Sequence, residues 1–92
     1  MIKNFKCKHT QALFEGKCPK QYRAFQSQAE RKLQMINKSQ DVKDLLQPPG
    51  NHLEKLSGDR FGQYSIRINN KWRVCFEWID NHAEQVEIVD YH

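Results

Sequence analysis

The spacing of apolar residues divides the chain into a helical first half and a second half of strands. Apolar side chains recur every three or four residues between Tyr22 and Ile36, and most residues between them are polar. This spacing predicts one amphipathic helix over residues 20–38. From Tyr64 onwards apolar and polar residues alternate, as in strands with one buried face. The order predicts an α+β domain of two layers, with an N-terminal strand and helices packed on one face of a mainly antiparallel sheet.

Shorter elements flank the long helix. Residues 2–6 alternate and predict a first strand, and residues 11–14 predict a brief helix that ends at Gly16. Ser39 is the expected N-cap of a second helix. The apolar residues of that helix are Val42, Leu45 and Leu46. The helix is expected to end in the segment 48–51, because its two prolines cannot continue a helix.

The second half is expected to form a meander. Three strands are predicted over residues 64–68, 72–78 and 86–89, with a turn over residues 80–82. Residues 53–60 predict a further strand that runs into a tight turn at its glycine-aspartate pair. Strands joined by connections this short pair antiparallel.

The hairpin between Ile68 and Trp72 fixes the register of two strands. A connection of three residues, 69–71, pairs apolar with apolar residues along both strands, whereas a two-residue turn would set apolar residues opposite polar ones. Burial therefore favours the three-residue connection. In this register Arg67 lies directly opposite Arg73 on the face of the sheet that the helices leave uncovered.

Two arginines at directly opposed positions repel each other, and an anion bound between them would remove this repulsion. Like charges at directly paired positions destabilise a sheet by a few tenths to about 1 kcal/mol. A phosphate between Arg67 and Arg73 would accept paired hydrogen bonds from the guanidinium groups. The alternative is a solvated face on which the arginines pair with acidic neighbours. These neighbours are Glu54, Glu77 and Glu87. The pattern leaves both interpretations open.

Composition sets limits on the class of protein. The 92 residues suit one domain, spanning residues 1–92, and 38% of them are hydrophobic, enough for a small core. The net charge of +4 permits a polyanionic partner and is equally typical of a plain soluble domain. No apolar stretch approaches the roughly 20 residues of a membrane span. The lysines at the start precede no apolar run, so no signal peptide and no membrane partner are expected.

The cysteines are expected to be free thiols. Their odd number, at Cys7, Cys18 and Cys75, and the lack of a predicted signal peptide favour a reducing cytoplasm. The spacing of Cys7, His9 and Cys18 matches no zinc-binding pattern and offers no fourth ligand, so no metal site is expected. Cys75 lies within an apolar strand and is expected to pack rather than to react.

The C-terminal residues Asp90, Tyr91 and His92 carry groups that transfer protons. RNA provides its own nucleophile, the 2′-hydroxyl, and its cleavage needs a base, cations for the crowded phosphorane and an acid for the leaving oxygen. Histidine titrates near neutral pH, and a tyrosine ring can stack on a base. With Arg67 and Arg73 as cations, all the required groups are available. The simpler interpretation is a loose polar chain end.

Other positive charges and histidines are weaker candidates. Three basic residues near the same sheet are candidates for contacts with RNA. They are Lys55, Arg60 and Lys71. Arg60 is also placed to pair with Asp59 or to end a helix. The remaining histidines, His9, His52 and His82, are expected to lie at the surface.

Several motifs together resemble a known family. The most specific are Gly58-Asp59-Arg60, Ser65-Ile66-Arg67, Trp72-Arg73 and the C-terminal segment 86–92. With "MIKNFKCKHTQALFEGK" and "AERKLQMI" in the first half, they make nearly the whole chain similar to HigB toxins of the RelE superfamily, the plasmid-maintenance killer type. The resemblance implies a compact RelE-like fold and a bacterial type II toxin–antitoxin pair.

The resemblance also implies an activity and partners. Toxins of this kind enter the A site of the small (30S) ribosomal subunit and cut the mRNA there by 2′-hydroxyl attack, which inhibits translation. They leave a 2′,3′-cyclic phosphate and use no metal or other cofactor. The cognate antitoxin is a helix-turn-helix protein of the HigA type. It also represses the operon, so operator DNA is contacted only through the antitoxin.

Site residues carry over one by one. Arg67 and Arg73 match the basic active-site positions of the family, and His92 matches its terminal catalytic histidine. Tyr91 and Asp90 match the adjoining positions, Tyr91 as a group that stacks or orients.

The chain departs from the family pattern near its Gly-Asp-Arg turn. Several relatives have a lysine where this chain has Ser57, and some have a histidine where it has Glu54. His52 lies near that position but does not align without a gap. The charge that is missing at Ser57 would then have to come from Lys55, Lys71 or ribosomal RNA.

The departure supports a second hypothesis, a non-catalytic protein that binds the ribosome or RNA and blocks translation. A third is a protein whose main role is to hold its antitoxin in an operator-binding complex.

Alternation along the last strand creates a conflict for His92. It sets this residue on the side of Val86 and Ile88, the core face, rather than beside the two arginines. Either Ile88 and Val89 mark a bulge, or the chain end turns around the edge of the sheet.

Overall fold

The computed structural model describes residues 1–90, and residues 91 and 92 lie outside the described part. Its main elements are α1 (Lys8–Phe14), α2 (Gln26–Lys38), β1 (Glu54–Lys55), β2 (Gln63–Arg67), β3 (Trp72–Ile79) and β4 (His82–Asp90). Short 3-10 helices cover Lys20–Phe25, Val42–Leu46, Pro49–Asn51 and Gly58–Arg60. The strands form one antiparallel sheet in the order β1-β2-β3-β4. The predicted α+β fold with a meander is confirmed. Within residues 1–90 no helix is long and apolar enough to cross a membrane.

The core lies between α2 and one face of the sheet. Ala29, Leu33 and Ile36 form the inner face of α2, and each is fully buried. Their partners in the core cluster are the inward residues of the strands. These are Ile66, Ile68, Val74, Phe76, Ala83, Val86 and Ile88. Burying one such aliphatic side chain contributes roughly 1.5–3 kcal/mol, so this contact dominates the stability of the fold.

The predicted single helix over residues 20–38 is wrong in its first six residues. Lys20–Phe25 is a 3-10 helix, and Phe25 leaves the helical region with φ −132° before α2 begins. In a 3-10 helix residues three apart lie on the same side, which places Tyr22 and Phe25 together. Both rings pack on Trp72, with centroids 6.0 and 5.1 Å away. Over so short a stretch the two apolar positions fit either helix type, so the sequence did not separate them.

Two helix ends differ from prediction. Helix α1 starts at Lys8 rather than at residue 11. Ser39 is not the N-cap of the next helix, because its hydroxyl ends α2 by donating to the carbonyl of Met35 at 2.8 Å. The N-cap is Asp41, which forms a reciprocal capping box with Asp44. A carboxylate accepts backbone N–H groups more strongly than a hydroxyl does, which favours the aspartate.

The N-terminal segment is not a full strand. It makes two isolated parallel bridges to β4, Ile2 to Ala83 and Phe5 to Val86. Its pairing is interrupted at Gln85, which has a left-handed backbone with φ 54°. There the side chain of Asn4 replaces a backbone partner, accepting from the Gln85 N–H at 2.7 Å.

Of the two alternatives for the last strand, a bulge at Ile88 and Val89 is wrong, and the other, a turn of the chain end around the sheet edge, stays untested. Arg73 pairs with Val89 and Val74 with Ile88 in regular register. The irregularity lies at Gln85 instead, between the pairings of Cys75 and Glu77. A polar residue at the surface adopts the strained conformation at lower cost than a β-branched residue would.

Candidate functional site

The predicted register of the β2–β3 hairpin is confirmed. Arg67 pairs with Arg73, and Ser65 pairs with Cys75. The expectation that this face is uncovered is wrong at its centre, because Ser65 and Cys75 are fully buried. Arg73 covers part of this centre, since it donates to the Ser65 hydroxyl and its side chain is itself largely buried. Burial raises the pKa of the Cys75 thiol, so this cysteine packs as a neutral group.

Arg73 is fastened over this buried centre. Its Nε donates to the Ser65 hydroxyl at 2.8 Å, and its Nη2 donates to the backbone carbonyl of His52 at 2.6 Å. Its side chain is 12% exposed, and Glu54 lies at 3.9 Å from Nη1, a loose ion pair on the rim. The guanidinium therefore ties the loop before β1 to the middle of the sheet.

Arg67 turns the other way, towards the hairpin connection. Its Nε donates to the backbone carbonyl of Asn69 at 3.2 Å, and its Nη2 donates to the side-chain oxygen of Asn70. These acceptors are uncharged, so they fix the direction of the guanidinium without neutralising it. The two arginines are opposite in register but donate to different acceptors, and a phosphate held between them stays a prediction.

The loop that Arg73 fastens carries His52. This residue follows the 3-10 helix Pro49–Asn51 and has a left-handed backbone, with φ 45° and ψ 54°. Its side chain is exposed. The bond from Arg73 to its carbonyl holds a conformation that costs a non-glycine residue of the order of 1 kcal/mol or more. Strained residues cluster at functional sites, which makes His52 a candidate, although the sequence placed it only near the family's histidine position and not on it.

A cleft of about 420 Å³ brings His52 and Arg67 together. Helix α2, the His52 loop and the β2–β3 connection form its walls. Its lining residues are Gln28, Lys32, Gly50, His52, Arg67, Ile68, Asn69 and Asn70. Among these described residues the charged ones are both cations, and none is acidic. The volume lies in the range of small-molecule sites, and the charge favours an anionic ligand.

Arg60 has a different environment on the same face. Its Nη1 donates to Glu87 at 2.8 Å and to the side-chain oxygen of Gln63 at 3.1 Å. The Glu87 side chain is only 14% exposed. Arg60 thus joins β2 to β4 as an ion pair, as the alternative interpretation of the polar face expected for arginines, and its contact with RNA stays a prediction.

The two lysines predicted to contact RNA lie at the margins of the sheet. Lys55 is exposed on the two-residue edge strand β1. Lys71 is exposed in the β2–β3 connection, 3.6 Å from Asp90 in a surface ion pair. Neither lines the cleft.

Part of the predicted site falls outside the described residues. Tyr91 and His92, predicted as the stacking and proton-transfer groups, belong to that part. Within residues 1–90, no three His, Cys, Asp or Glu side chains are grouped so that they could hold a metal ion.

Sequence reasoning missed Lys32, and it noted His52 only as a surface histidine near the position where some relatives have one. Lys32 lies one turn after Gln28 on the polar side of α2, where it reads as an ordinary solvated charge. The signal that could have found His52 is its place after two prolines and a glycine, where backbones of unusual conformation are frequent.

Comparisons with known proteins agree with this structure. The family described as the RelE-like toxin of the type II toxin–antitoxin system HigB matches residues 3–92. Toxin HigB-1 of Vibrio cholerae serotype O1 is 37% identical over 87 residues, covering 90% of both chains. Endoribonuclease HigB of Proteus vulgaris is 32% identical over 93 residues, covering 100% of both.

Solved structures show the same fold at lower identity. The YoeB–YefM toxin–antitoxin complex of Staphylococcus aureus includes a chain with a TM-score of 0.63 and 22% identity, covering 100% of this chain and 98% of that one. The YoeB dimer of the same organism gives 0.62 and 22%, covering 99% and 97%. The match over residues 3–92 and the two HigB relatives show that this chain belongs to the HigB family of RelE-like toxins of type II toxin–antitoxin systems.

Proposed function

We propose that this toxin is a metal-independent endoribonuclease that cuts mRNA in the ribosomal A site and thereby stops translation. The observation that carries the proposal is the cleft in which Arg67 and His52 meet between the helix layer and the sheet. A relative of equal length bears the name endoribonuclease, which supports the same activity here.

The chemistry follows from what the RNA already contains. The 2′-hydroxyl attacks the neighbouring phosphorus, the bond to the 5′-oxygen breaks, and a 2′,3′-cyclic phosphate remains. A base removes the 2′-hydroxyl proton, and an acid protonates the leaving oxygen. Arg67, held by neutral acceptors, stabilises the extra negative charge of the phosphorane.

Proton transfer is assigned to histidines. An imidazole can accept or donate a proton near neutral pH. His52 borders the cleft beside Arg67, and Arg73 holds its backbone in place. His92 is the second group, by resemblance to the family, and Tyr91 stacks on a base. Asp90 and the predicted lysines Lys55 and Lys71 contact the RNA.

The experiment maps mRNA ends after induction of the toxin, together with the chemistry of each end. We expect cuts in translated messages that carry 2′,3′-cyclic phosphate and 5′-hydroxyl ends. Arg67→Gln and His92→Gln should strongly reduce cutting and relieve growth arrest, whereas Lys43→Gln, an exposed change outside the cleft, should alter neither. Full cleavage by both site variants would refute the assignment.

The same mapping separates the alternative of a non-catalytic inhibitor. Ser57, exposed at the turn where several relatives carry a lysine, is the feature that favours this alternative. It predicts arrested translation with intact messages. The partner proposed for the toxin is a helix-turn-helix antitoxin of the HigA type, which contacts operator DNA on behalf of the pair. Co-purification of the toxin with the product of an adjacent gene tests this partner.

A further inference from the structure

The position of Lys32 on the wall of the cleft is the starting point. Lys32 comes from α2, the layer opposite the strands that carry the predicted site. Its ammonium group donates to the side-chain oxygen of Asn51. Asn51 is fully buried, and its Nδ2 donates to the carbonyls of Leu45 and Gln47 at 3.2 and 3.3 Å. Lys32 is therefore anchored to a rigid group rather than free in solvent.

This anchor leaves donors available. An ammonium group has three N–H donors, and the bond to Asn51 uses one. No carboxylate within residues 1–90 forms an ion pair with Lys32. Burial, and then the neighbouring Arg31, lower the pKa of the Lys32 ammonium. A cation held in this way gains from an anionic ligand that replaces the lost solvation.

Lys32 also has a partner across the cleft. Arg67 lines the same cleft from the sheet, and its known acceptors are uncharged. A lysine binds phosphate as a point charge, and an arginine binds it through a planar pair of donors. The two together can hold one phosphate from both sides, or two successive phosphates of one strand.

We propose that Lys32 and Arg67 form a phosphate-binding subsite for single-stranded RNA, in which the helix layer supplies a cation that the turn at Ser57 lacks. The subsite takes the sugar-phosphate backbone of the strand that enters the cleft. This inference rests on the proposed function for the identity of the strand, but it concerns binding alone.

Binding of an uncleavable RNA tests the subsite. The probe is a 2′-O-methyl hexanucleotide, whose affinity is measured by fluorescence anisotropy at several salt concentrations. One phosphate contact in a single strand contributes about 0.7 to the slope of log affinity against log salt. We expect Lys32→Gln to reduce the slope by about that amount and to weaken binding about fivefold at low salt. Lys32→Arg should retain most of the slope.

Lys32→Gln also loses the hydrogen bond from Lys32 to Asn51, so a second variant is needed that leaves this bond in place. Gln28→Glu adds a carboxylate to the cleft at an exposed position, so it leaves the fold intact. We expect it to weaken binding as Lys32→Gln does. Gln34→Glu is the matched control, since it adds the same charge to α2 at an exposed position that does not line the cleft, and it should change affinity little.

The outcomes separate this inference from the proposed function. An unchanged salt slope in Lys32→Gln, equal effects of Gln28→Glu and Gln34→Glu, or no binding by the unaltered toxin at low salt would each overturn the subsite. If binding behaves as expected while translated messages stay intact in cells, the subsite stands and the endonuclease proposal fails.

Discussion

Arg60 and Arg67 carry the same charge on the same face of one sheet, yet their surroundings differ. Arg60 pairs with the carboxylate of Glu87 at 2.8 Å, and that carboxylate is largely buried. Arg67 donates to a backbone carbonyl and an amide oxygen, both uncharged. A carboxylate partner neutralises an arginine and makes it part of the scaffold, whereas neutral acceptors orient it and leave its charge for a ligand. The acceptor of each arginine thus indicates its role better than its position in the sequence does.

The largest difference is expected when Arg67 and Arg60 are each replaced and cleavage is measured. Arg67→Gln should lower cleavage of ribosome-bound mRNA by about 10²–10³-fold, the usual loss for one electrostatic group at the reacting centre. Its melting temperature should change little, because the two hydrogen bonds that the variant loses lie in the surface connection between β2 and β3. Primer extension on ribosome-bound mRNA measures the rate. Equal losses in Arg67→Gln and Arg60→Met would remove the distinction between the two arginines.

For the free energy of unfolding, the larger effect is expected from replacing Arg60 rather than Arg67. Arg60→Met should lower the free energy of unfolding by about 2 kcal/mol, because it leaves the largely buried carboxylate of Glu87 with only the exposed Lys6, 3.9 Å away, as a charged partner within residues 1–90. Adding Glu87→Met should recover part of the loss, since the buried charge that Lys6 compensates only from 3.9 Å is then gone. Urea unfolding of the two single variants and the double variant forms the cycle. A double variant less stable than Arg60→Met would contradict this interpretation.

A smaller effect is expected for the exposed pair at the margin of the sheet. Lys71 and Asp90 are 60% and 35% exposed, at 3.6 Å. Exposed ion pairs contribute about 0–1 kcal/mol, so Lys71→Gln should shift the free energy of unfolding by less than 1 kcal/mol. Lys43→Gln, which removes an exposed lysine elsewhere, is the control. A loss as large as that of Arg60→Met would show that exposure does not govern the strength of these pairs.

The smallest effect is expected for the buried thiol of Cys75, which pairs with Ser65 in the sheet. Burial raises the pKa of Cys75. A thiol of raised pKa stays protonated in the folded state while the unfolded chain loses its proton near pH 8.5–9. The contribution of this thiol to the free energy of unfolding is therefore fully present below that range and is lost as the pH rises above it. Cys75→Ala should show a shallower fall between pH 8 and 10 by chemical denaturation. An equally steep fall in both proteins would assign it to other groups.

Alkylation rates provide a check on the same thiol. Burial alone would raise the pKa of the Cys7 thiol, but hydrogen bonds with Thr10, His9 and Tyr22 lower it overall. In the folded protein Cys7 should react with iodoacetamide before Cys75, and unfolding should remove the difference.

The sheet could be predicted from the sequence because its register follows from burial. A one-residue slip would expose the inward set of Ile66 and Val74, so the apolar pattern alone placed Arg67 opposite Arg73. The local backbone conformation was harder to predict from the sequence. The cap at Asp41 and the bulge at Gln85 each depend on which of several polar residues forms one particular hydrogen bond.

The cleft could not be predicted for a different reason. Lys32, His52 and Arg67 are far apart in the sequence and meet only after α2 has packed against the sheet. The direction of the Arg73 side chain, which reaches the His52 loop, is a rotamer that the register does not determine. Opposed positions in a ladder thus predict proximity of Cα atoms, and the acceptors available around each side chain decide where the charges point.

The hydrogen bonds between the first ten residues and β4 also bear on whether another chain can pair with the edge of the sheet. The N–H groups of Ala83, Val86 and Ile88 are bonded to Met1, Asn4 and the Thr10 hydroxyl. An open row of such groups is a template for aggregation or for adding a foreign strand. Residues 1–10 of the same chain already occupy that template, and at the opposite edge β1 offers only two residues. A binding partner that works by strand addition would therefore have to displace residues 1–10 from β4 or pair with the two residues of β1.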